Sequence, residues 1–237
     1  MALWQLSSEA GWVSKAALAP PSVVWNTFAD LVATGEIWGD VGKSLQRVLL
    51  GVLIGGAIGT VFGLLAGLSR IGEDLIDTPM QMIRAMPSLG TVPLLVIWLG
   101  IDEGVKVGLV AVGVVFPLYI NLHRGIRAID HRFSELAAVS GVGRRRLVLE
   151  VILPGAMPSY LVGLRLALGI AWLSLVVGES VNADRGIGYL INQGRTALQT
   201  DVIILGLILY AILGLLMEGV VRLIEWRVLS WRKGFLS

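Results

Sequence analysis

The chain contains no cysteine among its 237 residues, which excludes disulfide frameworks, thiolate metal clusters and redox dithiols. Charge is scarce as well. Asp, Glu, Lys and Arg make up 15% of the sequence, against about 25% in soluble domains, while 55% of the residues are hydrophobic. Histidine occurs only at positions 123 and 131, at no spacing suited to a metal on one helix face. Paired carboxylates and a nucleophile elbow are missing too, so catalysis by the chain itself is not expected. Gly42-Lys43-Ser44 resembles the end of a phosphate loop, but the required earlier glycine is replaced by Ile37, and nucleotide binding is excluded with it. A net charge of +2, with its cations gathered in particular loops, argues against a nucleic-acid partner.

What the sequence does have is long apolar runs. Residues 48–68 carry no charge and as a helix would reach about 31 Å, the thickness of a bilayer core. Residues 85–101 and 107–122 form a second and third run around a short polar connection, 102–106. Residues 151–178 are apolar apart from Arg165, and 202–217 are uncharged. Five spans result, in one all-α polytopic membrane protein. Twelve of the Lys and Arg residues fall in 69–84, 123–150 and 218–237, against six in 1–47, 102–106 and 179–201. Positive residues are retained in the cytoplasm, so the Arg-rich segment and the C-terminus are assigned there. Trp38, Trp98, Trp226 and Trp231 lie near span ends, where indoles favour the interface. Residues 1–47 are expected to be an external segment without a signal peptide. Within it, residues 1–6 read as the tail of a further span and 7–47 as a loop with a surface helix, leaving 48–237 as the membrane core.

Gly51, Gly55, Gly59, Gly63 and Gly67 recur every fourth residue, a bare helical stripe that lets another helix approach closely. The partner is a helix of the same subunit, a second subunit or a pore wall. Arg165 is the one charge inside its span. It needs either an acidic partner or an aqueous pathway. Glu179, at the outer end of the same span, is read as a pathway, interfacial or binding-protein contact. Pro79, Pro87, Pro93 and Pro117 each remove a helix hydrogen bond and are read as kinks or helix ends.

The segment 123–153 is a charged island that re-enters the membrane. Its residues Glu135, Leu136, Ala137, Ala138 and Gly141, followed by Val151, Leu153 and Pro154, match the pattern E-A-A-x3-G-x9-I-x-L-P, with Leu136 for Ala and Val151 for Ile. Small residues fit a short helix to a partner's cleft, Gly141 breaks or bends it, and Pro154 suits a helix start. Arg144, Arg145 and Arg146 extend the positive charge. The pattern resembles the cytoplasmic signature of importer permeases of the ABC transporter superfamily. Nearly the whole chain closely resembles the permeases for aliphatic sulfonates, in the group that also includes taurine, nitrate and bicarbonate permeases. That similarity is carried by segments 67–70, 81–84, 98–103, 116–121, 186–190 and 199–201. The resemblance implies a bacterial inner-membrane complex of two permease copies, two cytoplasmic ATP-binding subunits and an external substrate-binding protein. ATP and magnesium would reside in the ATPase, with no cofactor bound by this chain, and residues 135–141 would be the coupling helix. Six spans are usual in such permeases, so the first is expected to be missing or truncated here.

Overall fold

A computed structural model describes residues 4–5, 18–85 and 88–229, all helix and connecting turn. Of the expected span tail at 1–6, only residues 4 and 5 are described, and Pro87 and Trp231 lie outside the described residues.

Helix α1 (Pro21–Thr34) begins with a proline at its first position, where a missing amide costs nothing, and ends at Gly35, whose φ of +79° closes the last turn through a hydrogen bond to the Val32 carbonyl. The chain then enters α2 (Glu36–Leu68), α3 (Arg70–Ala85), α4 (Ser88–Leu99), α5 (Glu103–Arg127) and α6 (Arg132–Val139). A continuous helix, α7 (Arg144–Asn182), follows, then α8 (Ile187–Thr196) and α9 (Thr200–Val228). Four of these, α2, α5, α7 and α9, are long and apolar enough to cross a membrane.

The centre of the bundle is α5. Helix α2 runs parallel to it, and the glycine stripe faces it. A Cβ built on Gly55 would lie 2.2 Å from the Ala111 carbonyl oxygen, and one on Gly59 would lie 2.5 Å from that of Val115. Gly51 meets Val110, Gly63 meets Leu122, and Gly67 meets Ile126. Helix α7 packs antiparallel on the other side, again through small residues: Gly125 against Ser159, Gly163 against Asn121, Gly178 against Lys106. In lipid, where apolar surface gains nothing by leaving the solvent, this close approach supplies the dispersion contacts that hold helices together. Tyr210 of α9 meets Trp172 of α7 edge-on.

Two boundaries differ from the sequence expectation. The helix that carries the first span starts at Glu36, not at residue 48. Helix α2 has 33 residues, about 50 Å, and continues N-terminally through Arg47, so the domain boundary placed at 47 falls inside one helix. Only 12 residues of the second run form α4, about 18 Å and too short to cross alone. The return from the α2 C-terminus is made by α3 and α4 together. Tyr119 of α5 reaches Asp77, Arg84 lies over Phe116, and Leu99 meets the first turns of α5 at Gly108.

Candidate functional site

At one end of the bundle, Arg47 of α2 joins α5, α7 and the turn before α8. Its guanidinium is 2% exposed. It donates Nε to Glu103 Oε2 at 2.8 Å and Nη2 to Glu103 Oε1 at 2.6 Å, a bidentate fork. Nη1 donates to Glu179 Oε1 at 2.6 Å and to the Arg185 carbonyl at 2.7 Å. Glu179, 1% exposed, also accepts from Ser44 Oγ at 2.7 Å, the Gly188 amide at 2.7 Å and the Tyr210 hydroxyl at 2.8 Å. Ser44 Oγ in turn accepts from the Ile187 amide at 2.9 Å. The turn before α8 is built for this. Gly186 adopts φ +127°, and a Cβ there would stand 2.5 Å from Glu179 Oε1. Both carboxylate oxygens are fully occupied, so this cluster is a clamp between α2, α5, α7, α8 and α9.

Glu179 is therefore buried within the subunit, with its carboxylate satisfied by four protein donors. The resemblance of residues 42–44 to a phosphate loop has the same resolution, because Ser44 serves the clamp. Arg165, the other pathway candidate, contacts Glu218 at 3.1 Å and Glu225 at 2.6 Å, both on α9. Two carboxylates answer its charge.

At the opposite end, α6 lies at the margin of the bundle. Ala137 is buried, whereas Glu135, Leu136 and Ala138 are exposed. Phe133, Leu136 and Val139, three residues apart and up to 88% exposed, form an uncovered apolar ridge. Gly141 ends the helix at φ +69°. The Val142 amide donates to the Ala137 carbonyl at 2.8 Å and the Gly141 amide to that of Ala138 at 3.4 Å, the double bond of a Schellman cap. Glu135 lies 3.3 Å from His131. Arg144, just beyond, donates to the Leu68 carbonyl at 3.2 Å, tying the island to the end of α2.

Pro154 does not open a new helix after a loop. It sits inside α7, at the second position of the α-helical stretch that resumes after a π-helical turn, Val148–Ile152. In an α-helix its ring would meet the carbonyl of Glu150. The widened turn, with the Leu153 amide bonded to the Val148 carbonyl, accommodates it without interrupting α7. The island that bears α6 is thus joined to a helix that crosses the bundle unbroken.

Sequence reasoning missed the polar stripe of α3. Glu73 pairs with Arg127 and lies 3.3 Å from His123, which stacks on Tyr119 with centroids 5.8 Å apart. Asp77 accepts from Tyr119 at 2.9 Å and Gln81 at 2.7 Å. Arg84 ends the stripe with its guanidinium 5.3 Å from the centre of the Phe116 ring. The signal was present in the spacing of residues 70, 73, 77, 81 and 84, which repeats at helical period.

Four long apolar helices packed through glycine, with a buried ionic clamp at one end and an exposed short helix at the other, define a polytopic membrane protein. The chain belongs to the family of binding-protein-dependent transport system inner membrane components, which matches residues 59–230, and it is the permease component of an ABC importer. It is 46% identical over 235 residues to the aliphatic sulfonates transport permease protein named SsuC of Escherichia coli, covering 99% of this chain and 89% of that one. The protein so named in Bacillus subtilis is 40% identical, with coverages of 99% and 85%. The taurine transport system permease protein TauC of Escherichia coli is 29% identical, with coverages of 98% and 86%. Among solved structures, an amino acid ABC transporter superposes with a TM-score of 0.67 at 19% identity, covering 84% of this chain and 97% of that one. That likeness speaks to fold.

Proposed function

We propose that this permease imports aliphatic sulfonates, or a closely related small oxyanion, and that α6 is its coupling helix. The single observation that carries the coupling assignment is the form of α6: a capped, exposed helix with an uncovered apolar ridge, joined to the unbroken helix α7. A cytoplasmic ATPase groove that receives Glu135, Leu136, Ala138 and the ridge would press on α7 through the segment from Gly141 to Pro154. Ala137 faces inward and keeps the helix close to its own subunit. Closure of an ATPase pair would then bias the bundle between inward and outward access. Two copies of the chain, two ATPase subunits holding ATP and magnesium, and an external binding protein complete the assembly. The positive-charge count favours a cytoplasmic location for α6 and the C-terminus.

The higher identity to the two sulfonate permeases than to the taurine permease supports the substrate class. The test is gentle extraction of the tagged chain from native membranes. An ATP-hydrolysing subunit is expected in equal amount, lost when Glu135 and Gly141 are both replaced, and the reconstituted complex should take up sulfonates in preference to taurine and nitrate. Recovery of the chain alone, under conditions that preserve other membrane complexes, would overturn the coupling assignment.

A further inference from the structure

This inference rests on the reading of the chain as an oxyanion importer. We propose that Arg84 is the anion-selecting residue of the translocation pathway, receiving the charged head of the substrate at mid-membrane depth.

Depth comes first. Phe116, which lies under the Arg84 guanidinium, is close to the middle of α5 (Glu103–Arg127). Ile170, which lines the same cavity of about 150 Å³, is close to the middle of the stretch Leu153–Asn182. Two helices thus place Arg84 far from either interface. A cation there must face water or an acid, because hydrocarbon tolerates neither a bare charge nor its unmet hydrogen bonds.

No acid among the described residues answers it. Arg47 has Glu103 and Glu179, and Arg165 has Glu218 and Glu225. Among the described residues Arg84 forms no ion pair. The acids on its own stripe are engaged elsewhere: Glu73 by Arg127, and both oxygens of Asp77 by Tyr119 and Gln81. Phe116 positions the guanidinium over its face without neutralising it. The exposed side of Arg84 is therefore free for an anion.

The cavity lining also carries the chemistry of the ligand class. One planar fork of donors suits a sulfonate or similar oxyanion bidentately, and Ile83, Val112, Phe116 and Ile170 supply an apolar wall for a short aliphatic tail. An aliphatic sulfonate has the same two halves.

Two experiments on the complete transporter test this. In proteoliposomes, Arg84→Gln is expected to lower ATP-driven anion uptake at least tenfold while the complex still assembles, and Arg84→Lys to recover part of the loss. Unchanged uptake in Arg84→Gln would overturn the proposal. So would loss of assembly in Arg84→Gln repaired by Lys, which would mark an ion pair with the second copy. The cysteine-free chain permits the other test. Arg84→Cys should react with the charged reagent sulfonatoethyl methanethiosulfonate in the ATP-free or the ATP-bound state. No reaction in either state, with a control at the exposed Ala197→Cys labelled, would place the residue away from water and overturn the proposal. The wild-type complex is screened in parallel with sulfonates, taurine, nitrate and an uncharged solute. Transport of another anion would refute the sulfonate reading alone, and Arg84 would be tested with that anion. Transport of only the uncharged solute would refute both.

Discussion

Replacing Gly55 with alanine is the sharpest test of the glycine stripe. The added Cβ would stand 2.2 Å from the Ala111 carbonyl oxygen and 2.9 Å from its C and Cα. These are backbone atoms, so no rotamer change relieves the contact. Restoring ordinary van der Waals separation moves α2 and α5 apart by about 1 Å, and a gap of that size forfeits roughly a quarter to a half of each contact along the seam. Overpacking of this kind costs about 1–3 kcal/mol, occasionally more. The order within the stripe follows from what each Cβ meets. Gly59, 2.5 Å from the Val115 oxygen, should come next. Gly67, whose nearest neighbours are Ile126 side-chain atoms from 2.7 Å, should be milder because that side chain can turn. Gly214→Ala, with nothing within 4 Å, serves as the neutral reference. Thermal unfolding of the purified chain in detergent reads the order directly. A Gly55→Ala variant as stable as wild type, or less perturbed than Gly67→Ala, would refute the reasoning.

Arg47→Met should destabilise by about 3–5 kcal/mol, because it leaves Glu179 buried without its counter-charge. A double-mutant cycle with Glu179→Gln should show coupling above about 0.5 kcal/mol, and additive effects on the same melts would contradict the clamp. Arg165→Gln, at a half-exposed pair with Glu218 and Glu225, should lower stability by about 1 kcal/mol or less and leave uptake unchanged; a large loss of uptake with intact assembly would return Arg165 to the pathway. Gly141→Val puts a branched side chain at φ +69°, at a cost of about 1–2 kcal/mol from the left-handed backbone alone. It should unwind the end of α6 while leaving membrane insertion intact, which protease accessibility of the island can check.

Much of the architecture was legible because lipid allows few solutions. Apolar runs located α2, α5, α7 and α9, and the every-fourth-residue glycines marked a close helix contact. The start of α2 was not legible, because Arg47 reads as the end of a span until its two acids are known. Glu103 and Glu179 lie 56 and 132 residues away in sequence, and no local pattern joins them. The burial of Glu179 is illegible for the same reason. The two-helix return of α3 and α4 was obscured because counting uncharged residues treats a charge as the end of a span. The α3 charges instead lie along one stripe, against α5. That convention assigns Arg84 to a cytoplasmic loop, against the mid-membrane position proposed for it. Gly141 was read correctly as a helix breaker from residue type alone, because few residues other than glycine adopt its backbone angle readily.

The most direct measurement is ATP-driven sulfonate uptake by proteoliposomes containing this chain, its ATPase and its binding protein, compared between wild type and Gly141→Val, with ATP hydrolysis recorded on the same vesicles. The account predicts uptake by the wild-type complex. In the variant it predicts that the complex still forms and hydrolyses ATP while uptake is lost. Equal uptake per ATP hydrolysed in the two proteins would contradict coupling through α6.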